Sequence, residues 1–449
     1  MRFLYFIIHT VTSYSLLFFY KKVKVIRNPK RYLNRTIYVS NHAASFMDPL
    51  VIATQMRPIV FFMTRSDVFT TLMKPILWGA HMLPIYRQQD GVDTKVKNKK
   101  VFQKCAKILK GGRNLLIFGE GFTDDVFVRR LKPLKKGAVR IGFETLESLE
   151  WSKNIYVATV GINYGNPNVI GSEIVISNGV SICLNDHKEA YLKAPNKIVA
   201  DITAQLEADL KDQITHVENH DWAFFHEHVT RLTRIGIDPF DKDDSISLLQ
   251  RWENSKSFAK WINQQNLEAE ELLTLKSELE EYFDQLKSYK IVDVIVYEYA
   301  EKKQNIPWKW TQLILLFPFI LLGWIHTYIP YRYVKRFVEK SFKRQVFWGS
   351  VKATLGMVAI GLWNIPIVIA MHYYIFKPMC IGFENSAWAL SLSYYLITPL
   401  FGLIAYYSSR VYQNIKAHRR LSSQLEKMSQ TRSSLLEKIY ELSFFKLNN

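Results

Sequence analysis

The sequence predicts an α/β fold: a mixed, mostly parallel sheet with crossover helices, flanked in sequence by an N-terminal membrane-associated helix and C-terminal membrane helices. Short apolar runs at 36–40, 115–118 and 155–162 end in loops and are separated by helical stretches, the alternation that builds parallel sheets. Long apolar stretches crowd the two ends of the 449-residue chain, although its hydrophobic fraction of 48% would suit a soluble protein. Bases cluster beside those stretches, within a net charge of +19.

The elements follow in order. Residues 3–20 are aromatic-rich but interrupted by His9, Thr10, Thr12, Ser13 and Ser15. A spanning helix needs ~20 apolar residues, so the segment 1–22 is expected to lie in the interface. Lysines follow it rather than a small-residue cleavage site, so it is expected to stay attached. Residues 21–35 then carry Lys21, Lys22, Lys24, Arg27, Lys30, Arg31 and Arg35 with no acid, and 129–140 hold a second basic cluster. Next to apolar segments such clusters favour anionic headgroups, at ~1 kcal/mol per base. A nucleic-acid partner is not expected, because no nucleic-acid module pattern accompanies the charge.

Residues 23–185 form the expected α/β core, with a basic helix at 92–110 whose bases face solvent or membrane. A helical extension at 186–311 is expected to complete the soluble part. In it Ile202, Leu206 and Leu210 share one face, and Leu272, Leu275, Leu279, Phe283 and Leu286 another. The segment 312–329 contains Pro318 and Gly323, which predicts a bent, re-entrant or interfacial element. Residues 353–407 predict a two-helix transmembrane hairpin. The tail 408–449 repeats Leu421, Leu425, Met428, Leu435, Ile439 and Leu442 with Arg432 interrupting. That spacing predicts a short coiled coil, a surface for self-association, or an amphipathic tail.

Cys105, Cys183 and Cys380 have neither metal nor redox spacing and read as inert thiols. His226-Glu227-His228 with His220 reads as a solvated helix face rather than a metal site, because adjacent helical residues do not share a face. No metal and no cofactor are expected.

The chemistry-bearing stretch is Ser40-Asn41-His42-Ala43-Ala44-Ser45-Phe46-Met47-Asp48-Pro49. If the chain turns between them, Asp48 fixes the tautomer of His42 and leaves its other nitrogen as a general base. Three further elements follow: His81-Met82-Leu83-Pro84-Ile85-Tyr86-Arg87; a strand ending Phe118-Gly119-Glu120-Gly121; and Pro133-Leu134-Lys135-Lys136-Gly137. A later strand ends Gly161-Ile162-Asn163-Tyr164.

In this order the elements resemble the glycerophospholipid acyltransferase family, which includes lysophosphatidate and glycerol-3-phosphate acyltransferases. The resemblance covers roughly residues 35–170. It implies an α/β fold and transfer of an acyl group from acyl-CoA or acyl-carrier protein to a lipid acceptor. It makes His42 the catalytic base, Asp48 its partner and Arg87 the acceptor-phosphate arginine. Asn41 joins the substrate-binding residues, Glu120 and Gly121 shape the acceptor site, and Asn163 helps form the acyl-donor pocket.

Two departures stand out. Five residues separate His42 from Asp48 where the family usually has four, which we read as a subfamily variant. The usual Phe-Pro-Glu-Gly-Thr-Arg is here Phe118-Gly119-Glu120-Gly121-Phe122-Thr123, so a second phosphate-binding arginine is missing. Lys135 or Lys136 is the expected substitute, holding phosphate as a point charge rather than a fork. Acylation of another lipid headgroup, or a non-catalytic scaffold binding anionic lipid, are the alternatives. A scaffold needs none of His42, Asp48, Arg87 and Glu120.

Positive residues remain cytoplasmic. The loop 330–352 carries Arg332, Lys335, Arg336, Lys340, Lys343, Arg344 and Lys352 against Glu339, and 408–420 adds Arg410, Lys416, Arg419 and Arg420. Both ends of the hairpin are therefore expected inside, with the catalytic domain on the cytoplasmic face and 312–329 not crossing. Cysteines introduced at Asn305 and Ser341 should be labelled from the same side of the membrane. Labelling from opposite sides would show that 312–329 spans.

Overall fold

A computed structural model describes residues 2–26, 34–55, 60–71, 73–86, 94–380 and 384–448. Helix α1 (Arg2–Phe19) runs directly into β1 (Tyr20–Ile26). The core continues with β2 (Thr36–Ser40), α2 (Met47–Gln55), β3 (Val60–Arg65), α3 (Lys74–Gly79), β4 (Met82–Ile85), α4 (Thr94–Lys110) and β5 (Asn114–Phe118). Then come α5 (Gly137–Ser148), β6 (Tyr156–Tyr164), β7 (Ser172–Asn178) and β8 (Ile182–Cys183). These strands form one sheet in the order β1-β7-β6-β2-β5-β3-β4, with β8 on β6. The sheet is mixed and mostly parallel, as expected: among the described residues the antiparallel pairings are those of β6 with β7 and β8, and β1, parallel to β7, shares its direction.

The centre of the sheet is where the sequence was most apolar. Every residue of β2 is buried, and β2 lies parallel between β5 and β6. Both faces are covered, so its side chains need no polar alternation. Ile37, Val39, Leu115 and Val157 pack with Val139, Phe143 and Leu146 of α5 and with Val101, Cys105 and Leu109 of α4. The bases at Lys99, Lys100, Lys104, Lys107 and Lys110 leave that apolar stripe free to face inward. Cys105 is fully buried, and burial pushes its thiol up to about 12, as suits an inert core thiol.

Helix α1 presents two unlike faces. Tyr5, Leu16 and Phe19 are buried, and Tyr5 stacks on His81 at 4.3 Å. Phe3, Phe6 and Leu17 are exposed at 77%, 65% and 73%, an apolar face left uncovered by the described residues. The strand β1 that follows is the element least visible in the sequence, because Lys21, Lys22 and Lys24 obscure the alternation around Val23 and Val25. It pairs parallel with β7 at the sheet edge.

The remaining helices are α6 (Lys188–Lys193), α7 (Pro195–Gln213), α8 (His220–Leu232), α9 (Leu248–Ile262), α10 (Glu270–Tyr289), α11 (Asp293–Ala300) and α12 (Ile306–Leu315). They are followed by α13 (Phe317–Gly323), α14 (Ile329–Ser341), α15 (Trp348–Met371), α16 (Lys377–Met379), α17 (Glu384–Arg420), α18 (Ser422–Glu441) and α19 (Ser443–Asn448). The chain forms two compact units. One comprises Met1–Pro167, Ser172–Phe224 and Ile246–Gln264; the other comprises Asn168–Gly171, Phe225–Ser245 and Gln265–Asn449. Residues of the 186–311 stretch fall in both.

In the second unit, Gln345–Met379 and Asn385–Arg420 are long and apolar enough to cross a membrane, each containing an 18-residue window of mean hydropathy 1.9 and 1.5 respectively. The preceding helices, Ile306–Leu315 and Phe317–Ser341, meet at 64°. The break falls at Leu316, immediately before Pro318, whose missing N–H suits the first turn of a new helix. Gly323 is followed by a π-helical turn at Trp324–Tyr328, a second irregularity where the sequence predicted bending. A Cβ on Gly323 would collide with the backbone of Phe401, so α13 and α17 approach closely there. His326 bridges further, bonding Asn364 of α15 and the Tyr394 hydroxyl of α17 (2.7 Å). The bent segment thus packs on the hairpin, as the freed backbone near a break requires.

Two sequence expectations change here. The tail stripe of Leu425, Met428, Leu435 and Ile439 is buried on α10 and α11 of the same chain. Arg432 does not interrupt it: its guanidinium meets the fully buried carboxylate of Asp293 at 3.1 Å and donates to Leu232 O at 2.7 Å. Of the α8 histidines, His220 is exposed as expected, but His226 and His228 are not on a solvated face. His226 is fully buried, and His228 stacks on Phe283 at 4.3 Å, where burial holds its pKa down to about 3. The Phe225 and Val229 side chains carry that face of the helix inward with them.

Candidate active site

The strands β6, β2 and β5 are neighbours running in the same direction, so Tyr164, Ser40 and Phe118 end at one edge of the sheet. Carboxyl ends of parallel strands are where α/β sheets place ligands, because the loops leaving them converge there. His42 stands two residues beyond β2. Its ring stacks on Phe118 at 4.2 Å, and its Nδ1 lies 2.9 Å from Asp48 Oδ2.

The longer spacing between the pair is absorbed in a tight turn. Ser45 adopts φ 52°, a left-handed conformation that costs a non-glycine residue roughly 1–2 kcal/mol. Met47 N then donates to Ala44 O, Asp48 N donates to Ser45 O, and α2 begins. Asp48 falls in the first helical turn, fully buried, where the helix dipole favours a carboxylate. Its Oδ2 also accepts from Ala44 N at 3.0 Å, and its Oδ1 accepts from the Tyr164 hydroxyl at 2.8 Å. A carboxylate held by three donors is acceptor-only, so the proton between it and His42 sits on Nδ1. The Nε2 lone pair is left for a substrate, and the His42 side chain is 20% exposed, enough to be reached.

Glu120 fastens the neighbouring loops. It is 3% exposed; Oε1 accepts from His42 N at 2.5 Å and Oε2 from Lys132 N at 3.1 Å. Burial raises its pKa, opposed by those two backbone N–H groups. Gly119 N donates to Ser40 O, a bond that proline, usual at this place in the resembled motif, has no N–H to make. Gly121 has φ 77°, and a Cβ there would meet the end of the Lys135 side chain, so the lysine lies across the glycine.

The other sequence candidates divide into two kinds. Lys135 and Lys136 are exposed beside Gly121 and at the start of α5. Asn41 and Asn163 are buried and brace the backbone. Asn41 exchanges two bonds with Ile162, at 2.9 and 3.0 Å. Asn163 donates to Gln213 O at 3.0 Å and accepts from Thr215 N at 2.9 Å. Arg87 lies outside the described residues. Among the described residues, no group of His, Cys, Asp and Glu is placed to hold a metal ion.

Several site residues escaped the sequence reading. Tyr164 supplies the third donor to Asp48; burial and the Asp48 charge push its phenol well up, so it stays protonated. Arg129 clasps the end of β6 through Tyr164 O (2.7 Å) and Gly165 O (2.9 Å). Lys132 pairs with Asp124 at 2.8 Å and lies over the Phe122 ring at 4.2 Å. Only the proximity of Arg129 and Lys132 to the Glu120 motif hinted at them.

Residues 22–163 match the Acyltransferase family model, a segment from β1 to the penultimate residue of β6. It includes both members of the His42–Asp48 pair, Glu120 and both lysines, and it supports an acyltransferase enzyme. No curated protein matches the chain.

Replacing Tyr164 with phenylalanine leaves Asp48 Oδ1 buried without its donor. The loss should cost about 1–3 kcal/mol of stability and lower turnover, because the imidazole loses its fixed partner. Thermal unfolding and initial rates check this; a Tyr164→Phe protein unchanged in both would remove the tyrosine from the site.

Proposed function

We propose, from an acyltransferase domain at residues 22–163, that the protein is a membrane-bound O-acyltransferase. It moves an acyl chain from acyl-CoA or acyl-carrier protein to a hydroxyl of lysophosphatidate or glycerol 3-phosphate in phospholipid synthesis. The carrying observation is the 2.9 Å contact between His42 Nδ1 and the buried Asp48, which leaves Nε2 as a proton acceptor.

A glycerol hydroxyl is a poor nucleophile, whereas a thioester carbonyl is already electrophilic. One positioned base is the main requirement and contributes typically ~10²–10⁴-fold. His42 Nε2 takes the hydroxyl proton as oxygen bonds to the carbonyl carbon. Asp48 stabilises the imidazolium meanwhile. The carbon–sulfur bond then breaks, and the thiolate leaves with the proton returned from His42. Arg87, with Lys135 or Lys136, holds the acceptor phosphate. The apolar face of α1 and the hairpin keep the catalytic domain at the cytoplasmic face of the bilayer, where thioesters are supplied.

A second reading concerns the acceptor alone. Thr123 stands where the resembled motif has arginine and is only 8% exposed, which favours a lipid headgroup other than phosphate.

Purified full-length protein, given a labelled acyl thioester and a panel of acceptors, should acylate a phosphate-bearing one, and His42→Ala should abolish transfer while leaving membrane association intact. Arg87→Ala should raise the acceptor KM strongly with little effect on the donor KM, and Lys136→Ala should act the same way more weakly. Near-normal turnover by a well-folded His42→Ala protein would end the assignment.

A further inference from the structure

On the β6 side of the His42 loop lies a small open groove, lined in part by Ala43, Phe127, Arg130, Asn163, Tyr164 and Thr215. Its lining contains two arginines and no carboxylate.

The arginines are not equivalent. Both terminal nitrogens of Arg129 are bonded to the carbonyls of Tyr164 and Gly165, so its direction is fixed by the end of β6. Arg130 is half-buried, and among the described residues no hydrogen bond or ion pair holds its guanidinium.

Two buried groups are also unanswered: Thr215, which lines the groove, and His216, the next residue in the chain, which lies behind the lining and feels the Arg130 charge. Thr215 is 3% exposed; its backbone N–H is fixed by Asn163, yet its hydroxyl has no hydrogen-bond partner. His216 accepts from Leu131 N through Nδ1 at 2.9 Å, so its proton sits on Nε2, which has no partner either. Burial, then the charges of Lys211 and Arg130, lower the His216 pKa to about 4, so the ring is a neutral donor at pH 7. Buried polar groups are almost always paired, and unpaired ones mark a missing partner. Here the three groups can all donate, and one is a cation. Their complement is an acceptor-only anion with several oxygens.

We propose that Arg130, with Thr215 and His216 behind it, forms a phosphate-binding subsite on the β6 side of His42, separate from the Arg87, Lys135 and Lys136 assignment. The source of the phosphate rests on the acyltransferase reading. It is either the acceptor's phosphate monoester or the phosphate of the thioester donor, and guanidinium chemistry serves both.

The test measures binding apart from turnover. Full-length protein in detergent, in a His42→Ala background that prevents transfer, is titrated calorimetrically with inorganic phosphate, glycerol 3-phosphate and coenzyme A. Adding Arg130→Gln should weaken inorganic phosphate and one of the two larger ligands at least ~10-fold, at about 1.4 kcal/mol per tenfold. The ligand affected identifies the source. Arg130→Lys should restore part of the loss, and Thr215→Val should weaken the same ligand less. Among the described residues the Arg130 guanidinium has no partner to lose, so its replacement should leave the unfolding temperature unchanged. Affinities indifferent to Arg130→Gln, or no binding by the parent protein, would overturn the subsite. Transfer that proceeds with binding indifferent to Arg130 sinks the subsite alone. Arg130-dependent binding without transfer in the His42-containing protein sinks the acyltransferase reading instead.

Discussion

A carboxylate without water must be surrounded by donors, and at Asp48 three donors come from two distant parts of the chain. The first is the His42 imidazole, the second the Ala44 backbone N–H inside the loop, and the third the hydroxyl of Tyr164 at the end of β6. Removing any of them leaves a buried charge short of a partner, which is far costlier than losing a surface contact. The need to satisfy Asp48 therefore fixes the loop after β2 against the end of β6. Glu120 performs the same service on the β5 side, gathering His42 N and Lys132 N on one buried carboxylate. Two buried acids thus hold His42, Asp48 by its ring and Glu120 by its backbone N–H, and the side chain is 20% exposed.

The parts of this arrangement legible in sequence are those set by local pattern. Strands buried on both faces are mostly apolar, so 36–40 and 155–162 stand out against their polar loops. The turn-forming Gly119, Gly121 and Gly137 mark where chain direction changes. What sequence conceals is long-range pairing. Tyr164 lies 116 positions from Asp48, and nothing in Gly161-Ile162-Asn163-Tyr164 says which residue its hydroxyl will meet. Asn41 and Asn163 are alike in this: the backbone carbonyls they bond lie 121 and 50 positions away along the chain. The five-residue spacing looked like a departure; a single left-handed residue, Ser45, accommodates it.

The second unit shows the same limit. A charged residue within an apolar stripe reads as an interruption, yet Arg432 belongs there because Asp293 is buried opposite it. Tyr282 donates to the same carboxylate at 2.6 Å, so the pair is embedded in further hydrogen bonds rather than isolated. Apolar length alone identified the two long helices. The bent segment before them was visible through Pro318 and Gly323, whereas its link through His326 to Asn364 and Tyr394 was not. Polar side chains inside apolar helices report their partners only once the helices are packed.

Replacement of Asp48 with asparagine tests the central claim most directly. Asparagine keeps the shape, but its amide can donate to His42 Nδ1, which moves the ring proton to Nε2 and removes the base. The account predicts that kcat falls by on the order of 10²–10⁴-fold while the protein remains folded and both KM values change little. A folded Asp48→Asn protein with near-normal kcat would contradict it, since the imidazole would then need no carboxylate to act.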